Sequence, residues 1–312
     1  MNNNDQNLNQ LLCQSILEDK RKDRLWRNVR FFIWLLLFGL LLFKVMTPSS
    51  AQKQATGKRY FSLVRLSGPI MPGADFSVRR SVPALIHAFA DKTSAGVILL
   101  INSPGGTPTQ ASILHDKIIA LKKHFHKKVL VVAEDSLTSG AYLVATAADK
   151  IYVNDDTITG SIGVIMSSFG LNHAIEKLGI SRRVYTAGSN KNRLDPFLPE
   201  TAADNAKIQS ILNTAHKNFI NVVKAGRRGK LRGNPKELFS GDFWLGKKAT
   251  QLGLVDGTLN LWQASQKQFG TTHYIDYTIE RGALEKLLLG ISTMTHLDLH
   301  SEGQYQLLAE RN

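Results

Sequence analysis

The sequence predicts an α/β domain on a mostly parallel sheet, preceded by one amino-terminal transmembrane helix. Three observations predict it: a single long apolar run near the start, short β-branched runs alternating with helical patterns from Tyr60 onward, and two continuous apolar runs that end in glycine-containing loops. Strands of a parallel sheet are covered on both faces, which is why they read as unbroken apolar runs.

The apolar run comes first. Phe31 to Phe43 is uninterrupted apart from Gly39, and alone it is too short for a bilayer core of about 30 Å. From Trp26 to Met46 it becomes long enough if Arg27, Arg30 and Lys44 snorkel toward headgroups and Trp26 lies in the interface. Lys20, Arg21, Lys22 and Arg24 precede it, and the positive-inside rule then places Met1 to Arg30 in the cytoplasm and everything after Met46 outside it. Lys44, Lys53, Lys58 and Arg59 weaken that asymmetry. A cleaved signal peptide is the alternative, with Ser49-Ser50-Ala51 as the small-residue site, but so long a basic leader favours a retained anchor. The expected organisation is a basic cytoplasmic tail 1–25, an anchor 26–46, a linker 47–58, a folded domain 59–275 and a carboxyl-terminal tail 276–312.

Within the domain, Tyr60 to Leu66 reads as a strand, Ser81 to Ala90 as a helix, Gly96 to Ile101 as a buried strand and Gln110 to His124 as a helix. Lys128 to Ala133 reads as a second buried strand and Ser139 to Ala148 as an Ala-rich helix. Strands at Ile151 to Val153, Gly163 to Met166 and Arg182 to Tyr185 follow, with a helix Leu171 to Leu178 among them. A long helix, Glu200 to Ala225, and a shorter one, Gly246 to Leu252, lead to Gly253-Leu254-Val255-Asp256. In the tail only Leu284 to Leu289 has an amphipathic pattern.

Composition narrows the function. At 312 residues and 43% hydrophobic the chain can bury one sizeable core. Its formal net charge of +14 is spread along the chain without interleaved aromatics, so anionic lipid headgroups account for it and nucleic acid is not expected as a partner. Cys13 is the one cysteine, which excludes an intrachain disulfide and a Cys-held zinc. His124 and His126 lie among Lys122, Lys123, Lys127 and Lys128 with no third ligand, so no metal or other cofactor is expected. Gly241 to Lys247 imitates a phosphate loop, but Lys248 stands where a Ser or Thr must bind magnesium.

The chemistry gathers where the two buried strands end, because the ligand crevice of an open α/β sheet lies at the carboxyl ends of its strands. One strand runs into Asn102-Ser103-Pro104-Gly105-Gly106, whose glycines let backbone amides approach a ligand. The other runs into Glu134 to Tyr142 and presents Ser139 at the start of a helix, where unpaired amides favour developing negative charge. A tight turn and an ordinary N-cap explain each loop alone. Together they supply a hydroxyl and an oxyanion site, which acyl transfer needs.

These residues resemble the signal peptide peptidase A family of bacterial serine peptidases. The resemblance runs from about Tyr60 to Asp256 and rests on six ordered blocks. They are Val64 to Ile70; Ile101 to Gly106; Ser139-Gly140-Ala141-Tyr142 followed by Ala147 to Ile151; Thr159 to Val164; Gly188-Ser189-Asn190-Lys191 with Asp195-Pro196-Phe197; and Gly253 to Asp256. The resemblance implies a crotonase-like, Clp-protease-like fold and a Ser-Lys dyad without cofactor. It gives Ser139 as nucleophile, Lys191 as general base, Ser161 as the hydroxyl that orients the lysine, and the amides of Gly106 and Gly140 as oxyanion hole. It also implies a homo-oligomer with active sites at subunit interfaces, where serine and lysine come from neighbouring subunits. Ala141 stands where the family commonly has a second glycine, and Ser189-Asn190 where it often has Lys or an aromatic.

The expected activity is that of an endopeptidase on hydrophobic peptides such as signal-peptide remnants, held by a single-pass anchor in the bacterial inner membrane with its catalytic domain in the periplasm. Since a free lysine holds its proton to about pH 10.4, a lysine acting as base near neutrality must be desolvated or set beside another cation. A crotonase-type acyl-CoA hydratase or isomerase and a catalytically silent membrane scaffold are the competing readings. His173, the histidine next downstream of Ser139, reads as a surface residue rather than part of a Ser-His-Asp triad.

Overall fold

The computed structural model of the chain describes residues 25–40 and 58–279. Residues 25–40 are one helix, α1, whose side chains are all exposed, Trp26, Phe31, Phe32 and Trp34 among them. The other residues of the predicted anchor, 41–46, lie outside the described residues, as do 1–24, Ser49-Ser50-Ala51 and everything from 280 onward. Among the described residues no helix is long and apolar enough to cross a membrane.

The second unit holds a seven-stranded sheet. Its strands are β1 (Phe61–Ser67), β2 (Val97–Ser103), β3 (Val129–Thr138), β4 (Lys150–Tyr152), β5 (Ile158–Gly160), β6 (Phe243–Leu245) and β7 (Tyr274–Asp276). The order is β6-β5-β3-β2-β1-β7, with β4 also on β3, and every pairing is parallel except β5 with β6. The predicted α/β class with a mostly parallel sheet is therefore present.

Period-two alternation within the apolar strands divides them between two cores. Val97, Leu99 and Ile101 face α2 (Val78–Ala90) and α3 (Pro108–Phe125) through Leu85, Phe89, Leu114 and Ile118. Ile98 and Leu100 face the other way, with Phe61, Leu63, Leu130 and Val132, and are covered by Ala264 and Phe269 of α9 (Leu261–Phe269). Gly96 lies under Phe269 so closely that an added Cβ would stand 2.3 Å from the ring. The helix ends follow local chemistry. Pro108 opens α3, and α6 (Ala202–Gly226) and α9 carry capping boxes, Thr201 with Asp204 and Asn260 with Gln263.

The structure corrects several expected elements. β3 runs on to Thr138, because Ser136, Leu137 and Thr138 pair with β5, whereas Glu134 and Asp135 broke the apolar run and hid this half. The helix after Ser139, α4, is only Gly140–Ala145. No strand forms at Gly163 to Met166. The Ser161 amide donates to the Asp242 carbonyl, and the chain turns out of the sheet there, so the strand is β5, which starts five residues earlier. Arg182 to Tyr185 is exposed coil with no neighbouring strand. The helix at Leu171 to Leu178 is present as α5 (Asn172–Lys177) and the one at Gly246 to Leu252 as α8 (Gly246–Gln251). A short α7 (Pro235–Leu238), β6, α9 and β7 had no expectation.

The two ends of this unit meet on one carboxylate. Asp91, just past α2, accepts hydrogen bonds from the hydroxyls of Tyr60, immediately before β1 (2.9 Å), and Tyr277, immediately after β7 (2.5 Å). The Thr93 hydroxyl (2.7 Å) and amide (3.1 Å) bind it as well. Burial alone would push this carboxyl up, but the donors Tyr277, Thr93 and Tyr60 outweigh it and hold the group well below the usual carboxylate range. A carboxyl depressed on folding contributes stability above its unfolded pKa of about 4, lost as pH falls through the folded value. Asp91→Asn should therefore lower the unfolding free energy at pH 7 by about 1–2 kcal/mol. Between about pH 5 and pH 2 the variant should lose less stability than the wild type, as measured by denaturant melts; parallel losses would contradict the assignment.

Candidate active site

The carboxyl ends of β2 and β3 are drawn together by a register shift between Ile101 and Ser103, after which Ser103 pairs with Leu137. Side chains fasten the junction. Asn102 Nδ2 donates to Asp135 at 2.9 Å, the Ser136 amide donates to Asn102 Oδ1 at 3.2 Å, and Ser136 Oγ donates to the Ser103 carbonyl at 3.1 Å. Ile70, beyond β1, clamps the glycine loop from the other side: its amide donates to Gly105 O (2.7 Å) and its carbonyl accepts from the Thr107 amide (2.8 Å).

That clamp brings backbone against backbone. A Cβ on Gly105 would stand 2.7 Å from Gly140 N and 2.8 Å from both Ser139 Cβ and Thr138 O; one on Gly106 would stand 2.1 Å from Ile70 O. Only residues without a side chain fit. A Cβ on Gly140 would lie 3.3 Å from Gly106 N, so the two amides predicted for the oxyanion hole are neighbours. Among the described residues no hydrogen bond runs from either amide to a protein acceptor. Gly106 is exposed.

Ser139 stands between β3 and α4 at φ 51, ψ −125, a conformation that costs a non-glycine residue of order 1–3 kcal/mol. It is over-determined by its surroundings: its amide donates to Gly160 O (2.9 Å), its carbonyl accepts from the Leu143 amide (3.0 Å), and every residue of α4 is buried. Tyr142, wholly buried, ties that helix to the Leu254 carbonyl at 2.7 Å.

Ser161, the residue after Gly160, also has positive φ, 51. Its amide donates to Asp242 O at 2.7 Å, and beside it His216 Nε2 lies 3.0 Å from Ile162 O. Ser139, Gly106, Gly140 and the Ser161 turn thus converge at one edge of the sheet. Lys191 does not join them within the chain. It is exposed, in the turn where its amide donates to Gly188 O (3.2 Å), and among the described residues no hydrogen bond or ion pair links its ammonium to Ser139 or Ser161. The turn is firmly built all the same: Arg193 bridges Asp204 of α6 (2.6 Å) and Asn190 (2.8 Å), while Arg182 pairs with the nearly buried Asp195 (2.9 Å) and lies over the Phe197 ring (4.8 Å). His173, on α5, pairs with Glu176 on an exposed surface. No group of three metal-ligating side chains occurs among the described residues.

Sequence reasoning missed three contributors. Gly105, read only as part of a glycine pair, lies directly against Ser139; Ile70 supplies the clamp; and Arg227, 2% exposed, locks Gly253 to Asp256 by donating to Gly253 O (3.1 and 2.9 Å) and Asp256 (2.6 Å). Burial would raise the Asp256 carboxyl, but Arg227, Lys230 and the Ile151 amide bring it down to about 2. A paired-glycine loop after a buried strand was the signal for the first; nothing local marked the other two.

A strained serine facing two free glycine amides at the carboxyl edge of a parallel sheet defines a protein of the serine-hydrolase class. Comparison with known proteins agrees. The profile of Peptidase family S49 matches residues 121–269. Over 235 residues, 73% of this chain, it is 42% identical to a Brucella melitensis protein named Na(+)/H(+) antiporter NhaA, of which the match covers 32%. It is 33% identical to a provisionally named signal peptide peptidase SppA of Enterococcus faecium over 166 residues, 53% of this chain and 48% of that one. A provisionally named protease of Synechocystis sp. is 30% identical over 209 residues, 65% of this chain and 71% of that one. The chain thus spans about a third of the Brucella protein and about half of the Enterococcus one. It belongs to peptidase family S49, the signal peptide peptidase A family.

Gly105→Ala should collide with backbone that cannot yield. We expect it to cost about 3 kcal/mol or more and to abolish reaction of Ser139 with a fluorophosphonate probe. Gly179→Ala, also at positive φ but with nothing within 4 Å, should cost only about 1 kcal/mol and leave labelling intact. Equal effects in thermal melts and labelling would refute the close-approach account.

Proposed function

We propose that the protein is a membrane-anchored serine endopeptidase that cleaves hydrophobic peptides, such as signal-peptide remnants, through an acyl-enzyme intermediate. The observation that carries this reading is Ser139, held at positive φ against the unengaged amides of Gly106 and Gly140. Lys191, uncharged, takes the proton from Ser139 Oγ, and Oγ attacks the scissile carbonyl. The carbonyl oxygen becomes an oxyanion between the two glycine amides. Collapse breaks the C–N bond, the leaving amine takes the proton from Lys191, and water then hydrolyses the ester by the same relay. Ser161 orients the lysine.

Lys191 comes from a neighbouring copy in a homo-oligomer. Its own segment favours that arrangement, since Ile165, Phe169, Leu178 and Tyr185 there are 82%, 77%, 73% and 91% exposed, an unusual display of large apolar side chains for a lone chain. Covering that surface would also withdraw water from the lysine. The exposed apolar side chains of α1 and the apolar pattern 26–46 support a single-pass anchor in the inner membrane with the catalytic domain outside the cytoplasm.

Ser139→Ala and Lys191→Ala should each lower kcat/KM on an apolar peptide by about a thousandfold or more, and Ser139→Ala should abolish fluorophosphonate labelling. Coexpressed, the two variants should regain part of the activity, because a neighbour's Lys191 can then serve an intact Ser139. Undiminished turnover in Lys191→Ala would remove the lysine from the mechanism, and a fully active monomer in light scattering would remove the shared site.

A further inference from the structure

The amino ends of the parallel strands form the edge opposite Ser139, and their charge is one-sided. Arg59 precedes β1, Lys92 precedes β2, Lys123 and Lys128 precede β3, and Lys267 precedes β7. All five are exposed, and among the described residues none pairs with a carboxylate. Contacts tie the segments of Arg59, Lys128 and Lys267 to the strand ends and to one another. The Arg59 carbonyl accepts from Thr271 Oγ1 (2.7 Å), the Lys128 carbonyl accepts from the Val97 amide (2.9 Å), and Lys128 Nζ reaches Gln268 beside Lys267 (2.7 Å).

The carboxylates at this edge are already engaged. Asp91 is taken up by its hydroxyl donors, and Asp149 by Lys122 (2.8 Å) and the Val129 amide (2.8 Å). Neither 117–133 nor 257–275 contains a Glu or Asp. The opposite edge has the reverse sign, with Glu134, Asp135, Asp155 and Asp156 exposed around the carboxyl ends of β3 and β4. Charge is thus separated along the strands rather than mixed, which is the arrangement that orients a body in a surface field.

We propose that this basic edge is a docking surface for an anionic lipid bilayer. The partner follows from the chemistry: the cations precede four strands that lie side by side, about 4.8 Å apart, with Lys123 on the last turn of α3 and Lys267 on that of α9, so they fit a sheet of negative headgroups rather than a single anion. The first described residues of this unit, Lys58 and Arg59, lie at the same edge and add to its charge. Docking would hold Ser139 about 30 Å from the headgroups, the length of β3. The inference rests on the membrane-anchored reading only for the tether that delivers the edge to the surface.

Hydrogen exchange on the full chain tests it. With vesicles of phosphatidylcholine containing about one third phosphatidylserine, amides of 123–129 and 267–273 should exchange severalfold more slowly than with phosphatidylcholine alone. The difference should vanish at about 0.5 M sodium chloride, where the screening length falls to about 4 Å. It should also vanish in the triple variant Lys123→Glu, Lys128→Glu, Lys267→Glu, since each lysine contributes about fivefold to surface partitioning. Hydrolysis of a soluble peptide should be unchanged in that variant, which separates this result from the fate of the peptidase reading. Equal protection on the two vesicle types would overturn the proposal. So would protection around 134–141 instead, or the same protection by inorganic phosphate or by nucleic acid without lipid.

Discussion

Two stretches of backbone at the carboxyl edge of the sheet, Gly105-Gly106 and Ser139-Gly140, approach more closely than any side chain would allow. That contact sets where the two free amides stand relative to the serine hydroxyl. It is enforced from three directions: by the Ile70 clamp beyond β1, by the Asn102–Asp135–Ser136 network between β2 and β3, and by the Gly160 carbonyl that accepts the Ser139 amide. The positive φ of Ser139 is sustained by these bonds, and strain that the surroundings over-determine is found where geometry serves chemistry.

The support extends well behind the reacting atoms. α4 is buried on every side and leans on the Leu254 carbonyl through Tyr142, and the turn bearing Leu254 is held by a buried guanidinium. Arg227 is tolerable inside the protein because Asp256 compensates its charge and the Gly253 carbonyl accepts from its Nε and Nη2. Gly253 is required there, since a Cβ would come within 1.8 Å of the Lys230 carbonyl. The Gly253-Leu254-Val255-Asp256 turn is thus a brace for the serine's helix.

Much of this was legible in the chain. Continuous apolar runs gave β2 and the first half of β3 because burial on both faces leaves no room for polar alternation. The long α6 and the position of Ser139 at a strand-to-helix turn were equally readable. What escaped depends on contacts distant in sequence. The second half of β3 carries Glu134 and Asp135 and is a strand only because β5 lies beside it; β5, β6 and β7 are three residues each, too short for a periodic signal. Gly163 to Met166 fails as a strand for the opposite reason, being apolar but unpaired. Lys191 was recognisable through family resemblance alone, and a single chain does not bring it to the serine.

The Asp91 junction bears on how such a domain is used in larger proteins. Tyr60 and Tyr277, the residues that open and close the folded unit, bind the same carboxylate, so the unit begins and ends at one corner. A fold with adjacent ends can be spliced into another polypeptide as a cassette, because little entropy is spent in closing the host chain around it.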